Sequence, residues 1–177
     1  MQPPELDEAR LRRYARQILL AEIGGRGQRA LLAATVQVDL RHDRAAQLVA
    51  AAYLAGAGVG TLALVGGEAV VRPVDTGFVL EPSDVGLPLR EALRHRLAER
   101  TPDVRVRDEI ADEEALRLEL PADLPAGATD ADDADDADGP WARALWRGGL
   151  AAGRAITTLL DRARAARQAA PAGTTPR

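Results

Sequence analysis

The sequence predicts an α/β fold: a small Rossmann-like parallel sheet with flanking helices, then a disordered acidic linker and a C-terminal helix. Three observations carry this. Thr61-Leu62-Ala63-Leu64-Val65 is a continuous apolar run, the pattern of a strand buried on both faces in a parallel sheet. Upstream, Val36-Gln37-Val38 and the Ala-rich stretch from Arg44 to Ala57 complete a strand-helix-strand unit. The composition is 46% hydrophobic but only 3% aromatic, so the core must be Ala, Leu and Val. That suits helices packed closely on a sheet. A chain of 177 residues can form one such domain plus a tail.

Each element has its own local reason. Leu6 to Leu20 reads as helical, with Leu11, Ala15 and Ile18 spaced for one face. Gly24-Gly25 interrupts it, and Gln28 to Ala34 reads as a second short helix. In the Arg44–Ala57 helix, Leu48, Ala51, Ala52 and Ala55 pack flat against a sheet, and Gly56 and Gly58 stop it. The glycines from Gly56 to Gly60 follow a helix and precede a strand, so they form a helix C-terminal turn and not a phosphate loop. Pro73 to Pro88 is irregular. Leu89, Leu93 and Leu97 then form the apolar stripe of another helix, ended by Thr101-Pro102-Asp103. Val104-Arg105-Val106 alternates as a strand, and Asp112 to Leu120 reads as a short helix. Three segments follow: a domain over 1–120, a linker over 121–140 and an Arg-rich helix with tail over 141–177. The linker centre, Asp130 to Asp138, is low-complexity and self-repelling, so disorder is expected. On a helical wheel Trp141, Leu145, Ile156, Leu159 and Leu160 share one side, with Arg143, Arg147 and Arg154 opposite. Gly148-Gly149 and Gly153 read as a loosened helix rather than as close-packing positions.

Composition excludes several chemistries. Without Cys there is no disulfide framework, no Cys-type zinc site and no thioester or persulfide step. All 23 basic residues are Arg, so no lysine grips a phosphate or forms a Schiff base. His42 and His95 fall in different segments and lack further ligands at metal spacing, so no metal site is expected. No apolar run reaches the ~20 residues of a membrane span, and charges crowd the N-terminus where a signal peptide would be apolar. The expected location is cytoplasmic. The net charge of −4 conceals an asymmetry: residues 140–177 hold seven Arg against one Asp, leaving ten net negative charges on the first 139. The basic tail is expected to dock on the acidic domain or linker, or on a partner protein. A solvated tail and a nucleic-acid or membrane contact stay open. Trp141 and Trp146 are its candidate interface anchors.

More than half of the chain, about Leu11 to Val106, resembles the ThiF/MoeB/HesA family, whose members adenylate the C-terminus of ubiquitin-like sulfur carriers; ubiquitin-activating enzymes share the fold. The resemblance rests on Arg13-Tyr14-x-Arg16-Gln17 with Gly27-Gln28. It rests equally on Tyr53-Leu54-Ala55-x-Ala57-Gly58-Val59-Gly60-Thr61-Leu62-x-Leu64-Val65, and on Gly86-x-Pro88 with Thr101-Pro102-Asp103-Val104. Family residues that handle ATP are missing. The glycine-rich GxGGxG turn, which lets backbone approach phosphate at a helix N-terminus, is replaced by Asp39-Leu40-Arg41-His42-Asp43-Arg44. The acids of the DxD motif read Gly66 and Glu68. The NLxRQ segment reads Val74-Asp75-Thr76-Gly77-Phe78, and the lysine of GxPK is Leu89. Each lost charge-assisted contact is worth roughly 1.5–3 kcal/mol. The degenerate positions Asp39, Arg41, Arg44, Gly66 and Glu68 are therefore expected to hold no nucleotide.

In the family the arginine aligned with Arg16 reaches the ATP site of the neighbouring subunit. The resemblance thus implies a non-catalytic pseudo-subunit that pairs, as a homo- or heterodimer, with an active relative or a ubiquitin-like carrier. Its interface would hold Arg13, Tyr14, Arg16 and Gln17, and it would need no cofactor of its own. Equally open is a structural reading, with Arg13 and Arg16 as solvated helix charges above a packed Tyr14. Two other functions remain as alternatives. One is a divergent adenylyltransferase using ATP and magnesium in an altered pocket. The other is an adaptor that binds through its Arg-rich helix.

Overall fold

The computed structural model describes residues 4–108, 115–122 and 139–169. Four parallel strands form one sheet in the order β3-β2-β1-β4: β1 (Thr35–Asp39), β2 (Thr61–Val65), β3 (Arg105–Asp108) and β4 (Leu116–Arg117). β1 and β2 pair in register from Thr35 with Thr61 to Asp39 with Val65. The two strands therefore end side by side. Val36, Val38, Leu62 and Leu64 are fully buried, as the apolar patterning requires.

Two short helices lead into the domain, α1 (Glu8–Arg13) and α2 (Ala15–Ile18). α3 (Gly24–Ala33) starts four residues earlier than the apolar periodicity suggests. α4 (Arg44–Gly56) crosses from β1 to β2, and α5 (Leu89–Arg100) crosses from β2 to β3. Asp43 caps α4 by accepting from the Ala46 amide at 3.4 Å, with its own backbone in the left-handed region (φ 44°). The segment from Pro73 to Pro88 contains two 3-10 turns, each closed by a buried aspartate. Asp75 accepts from the Arg72 amide (2.8 Å), and Asp84 from the Glu81 amide (2.8 Å) and the Arg96 guanidinium.

Three sequence expectations are corrected. The described part of Asp112–Leu120 contains a strand, β4, beside β1, and not a helix. The long helix α6 (Gly139–Ala169) does not bury Leu145, which is exposed. Its inward face is made of Ala144, Gly148, Ala151, Ala152 and Ala155, with Leu159 and Leu160 further along. This face lies on α4, whose residues Ala46 to Ala51 are buried on every side. A Cβ at Gly148 would run into the Ala46 carbonyl oxygen and the Val49 side chain. Gly148 is thus a close-packing position and not a sign of a loose helix. α6 shares one hydrophobic core with the sheet. Asp130 to Asp138 and the tail beyond Ala169 lie outside the described residues. Among the described residues no helix is long and apolar enough to cross a membrane.

Candidate functional site

Two places concentrate the residues singled out by sequence: the ends of β1 and β2, and the N-terminal helices. At the strand ends Arg41 turns back on Asp39. The Asp39 carboxylate accepts from the Arg41 amide (3.0 Å), Nε (2.8 Å) and Nη2 (2.6 Å). This pairing with Arg41 holds the Asp39 carboxyl below the usual range, against the opposing effect of burial. The Arg41 stem lies directly on Gly66, at the end of β2, where any side chain would collide with its Cγ. The gap between the two strand ends is thereby filled from within the chain.

The other charged groups nearby are paired in the same manner. Asp43 meets Arg147 of α6. Arg44 reaches Asp75 at 2.9 Å, where Arg72 also binds. Burial pushes the Asp75 carboxyl up, but hydrogen bonds from Arg72 and Arg44 win and hold it below its ordinary value. Glu68 pairs with Arg90 at 2.8 Å, and Arg90 also reaches Asp108 at 3.1 Å. His42 is exposed, and His95 lies beside Glu99 at 3.4 Å on the surface of α5. Among the described residues no cluster of His, Cys, Asp or Glu could hold a metal ion.

At the N-terminal element, Asp103 is the hub. It accepts from Arg10 Nε (2.9 Å), from Arg13 and from the Tyr14 hydroxyl (3.1 Å). Burial acts to raise the Asp103 carboxyl, and the three donors bring it below its ordinary value. Tyr14 is buried, and burial with the adjacent Asp103 charge pushes its hydroxyl up to about 12. The Tyr14 ring packs on the turn between α4 and β2. Gly58 there has φ +84°, and a Cβ would meet the Tyr14 ring at 2.8 Å and Gln28 Nε2 at 2.6 Å. Gln28 donates to the Ala57 carbonyl at 2.9 Å, and Gln17 to the Gly56 carbonyl at 3.3 Å. The backbone at Gly60 touches the Leu32 carbonyl so closely that no side chain fits. Tyr14, Gln17, Gln28, Gly58 and Gly60 thus form one clamp.

Arg13 and Arg16 part company. Arg13 is held by Asp103, whereas Arg16 is exposed and makes no hydrogen bond or ion pair among the described residues. The two tryptophans also differ. Trp141 packs on Phe78 (centroids 6.3 Å apart) and over Gly77, inside the fold, while Trp146 is half exposed. Sequence reasoning missed Asp103 and Asp75 as ionic hubs; each follows a proline or lies two residues after one, which disguised them as turn punctuation. It also missed an apolar groove of about 530 Å³ between α4 and α6, lined by Gln17, Ile23, Ala52, Tyr53, Phe78 and Ile156, among others.

No family model matches the chain. A stretch of 67 residues is 48% identical to the adenylyltransferase and sulfurtransferase uba4 of Aspergillus niger, covering 38% of this chain and 13% of that protein. The crystal structure of PaaA superposes with a TM-score of 0.51 at 23% identity, over 64% of this chain and 40% of PaaA. TcdA (CsdL) gives a TM-score of 0.49 at 21% identity, over 61% of this chain and 41% of TcdA. The chain therefore spans less than half the length of each of these relatives. Over the 67 aligned residues its sequence is similar to that adenylyltransferase and sulfurtransferase, and its fold is that of PaaA, the likeness to the ThiF/MoeB/HesA family covering only part of the chain.

Proposed function

We propose that this chain is a non-catalytic subunit of an adenylation system for ubiquitin-like carriers. It pairs with an active homologue and presents Arg16 to that partner's nucleotide site, in the manner of an arginine supplied in trans. The seating of Arg41 carries this reading. With Asp39 holding its guanidinium and Gly66 under its stem, the arginine fills the cleft where the family's glycine turn would admit phosphate. Binding ATP there would require breaking the Arg41–Asp39 pair and leaving Asp39 facing a polyanion. Arg16 supports the second half of the reading, because it is exposed and makes no hydrogen bond or ion pair among the described residues.

Two measurements test this. Calorimetry of the chain with ATP and magnesium is expected to give no binding heat. Micromolar affinity would instead favour the divergent adenylyltransferase, in which Arg41 swings aside. Second, an intact homologue that co-purifies with the chain is assayed for adenylation by pyrophosphate exchange. Arg16→Ala is expected to slow it by about 10-fold or more. An indifferent partner would overturn the trans-arginine role.

A further inference from the structure

The two edges of the sheet are finished differently. At the β3 edge, Arg94 of α5 donates to the Val106 carbonyl at 3.4 Å and pairs with Asp108 at 3.2 Å. At the other edge β4 is bonded to β1 on one side only. The Leu118 amide donates to the Gln37 carbonyl at 2.9 Å, so Leu118 faces β1. Main-chain groups alternate sides along a strand paired in this way, so the Arg117 N–H and C=O point away from β1. No backbone partner for them lies among the described residues. Such an edge is a template for a further strand.

The space beside β4 is a groove of about 550 Å³ with α6 as its far wall. Ala151 and Ala155 line that wall, and side chains so small leave room for a backbone to enter. Arg147 ties α6 to the chain just past β4 by donating to the Pro121 carbonyl at 3.2 Å, which fixes the width of the groove. Its charges are the second observation. Arginines elsewhere in the fold are matched to carboxylates, Arg41 to Asp39, Arg44 to Asp75 and Arg96 to Asp84 among them. Arg117 and Arg154 both line the groove and are exposed, and neither guanidinium makes a hydrogen bond or ion pair among the described residues.

We propose that this groove binds an extended acidic segment of another protein, which joins the sheet as a strand beside β4. Main-chain bonds at Arg117 set its register, and carboxylates along it meet Arg117 and Arg154. The open N–H and C=O call for a backbone, and the two unmatched guanidinium groups call for acids. The chain's own Asp130–Asp138 run has the charge but consists of Asp and Ala, which are depleted in strands, so a segment from elsewhere is the better match. The site is independent of Arg16, because it is read by peptide binding and not by a homologue's adenylation rate.

Fluorescence anisotropy of the purified full chain with a labelled, alternating valine–glutamate hexapeptide tests it. The expected Kd is about 10–100 µM. Arg117→Gln and Arg154→Gln are each expected to weaken binding about 10-fold. Their melting temperatures should match the parent, since both side chains are exposed. Two further peptides, N-methylated at the odd or at the even residues, keep every charge and lose the main-chain donors of one edge. One is expected to lose binding about 10-fold or more and the other to keep it, because a strand bonds β4 through a single edge. Equal binding of the two N-methylated peptides, indifference to both arginine variants, or no binding at all would overturn the proposal. So would equal affinity for a peptide of the Asp130–Asp138 sequence, which would give the groove to the chain's own acidic run, or for an oligothymidine, which would make it a site for phosphates in general.

Discussion

The N-terminal clamp and the strand ends both use arginine–carboxylate pairs but are held in different ways, the first around Asp103 and a packed Tyr14, the second by ion pairs nearer the surface. Around Asp103 the family-like residues are present and interlocked: Tyr14 under Gly58, Gln28 on the Ala57 carbonyl, Gly60 against Leu32. At the ends of β1 and β2, arginine–carboxylate pairs cover the surface. The difference separates two reasons for a motif to be present. Residues of the clamp have a packing role that needs no activity to explain it. At the strand ends the charged side chains instead satisfy one another in pairs. Arg16 is the exception that makes the comparison useful, since it sits in the clamp motif yet takes no part in the clamp.

The largest effect should come from the tightest contact of the clamp. Gly60→Ala forces a methyl against the Leu32 carbonyl, which is backbone and cannot step aside. Overpacking of this kind costs about 3 kcal/mol or more. For a domain of this size that lowers the melting temperature by about 6–12 °C. A variant that melts with the parent would show that the turn between α4 and β2 is not fixed by this contact.

Removing the hub is next. Asp103→Asn takes the charge from under Arg10, Arg13 and Tyr14, and should cost about 2 kcal/mol in urea titrations at pH 7. The pH dependence has a definite sign. The folded chain holds Asp103 below its ordinary value of 3.8, so the carboxylate's contribution is present above that value and is lost as pH falls through the depressed one. The Asn variant should therefore lose less stability on acidification than the parent. At the alkaline end, the Tyr14 hydroxyl rises from 10.0 to about 12. Between those values the unfolded chain gives up a proton that the folded chain retains, so stability falls as pH rises through that window. Tyr14→Phe should flatten that fall.

At the strand ends the expected effect is smaller. The Arg41 side chain is 58% exposed and Asp39 is 30% exposed. Exposed ion pairs of this kind contribute about 0–1 kcal/mol. Arg41→Ala should thus change the urea midpoint little while clearing the space over Gly66. A loss as large as that of Asp103→Asn would mean that the strand ends are structural as well, and the contrast between the two regions would collapse.

Much of the sheet and its crossovers was legible in the sequence because burial imposes short-range patterns. Apolar runs and alternation gave β1, β2 and β3, and the Leu89-Leu93-Leu97 spacing gave α5. β4 was misread although Leu116, Leu118 and Leu120 alternate with Arg117 and Glu119, the period of a strand; the acidic residues before it invited a helix. The inward face of α6 was misjudged for a different reason. A wheel weighted by large apolar residues selects Leu145, but contact with Ala-rich α4 is made through Ala and Gly, whose value lies in allowing close approach. Of the candidate site, the identities were legible and the pairings were not. Asp103 lies 90 positions from Arg13, and Arg147 lies 104 from Asp43, distances over which no local pattern extends.

The smallest expected stability effect decides the most. Arg13→Ala removes a donor from Asp103 and should cost about 1–2 kcal/mol, because the carboxylate it serves is only 10% exposed. Arg16→Ala removes an exposed side chain that makes no hydrogen bond or ion pair among the described residues, so its melting curve should match the parent within about 0.5 kcal/mol. If both variants destabilise alike, Arg16 belongs to the clamp and its presence has a packing explanation. If Arg16→Ala is silent in folding and still slows a homologue's adenylation, the residue's use lies outside its own chain. That pairing of readouts distinguishes an arginine kept for architecture from one kept for a neighbour, which sequence resemblance leaves undivided.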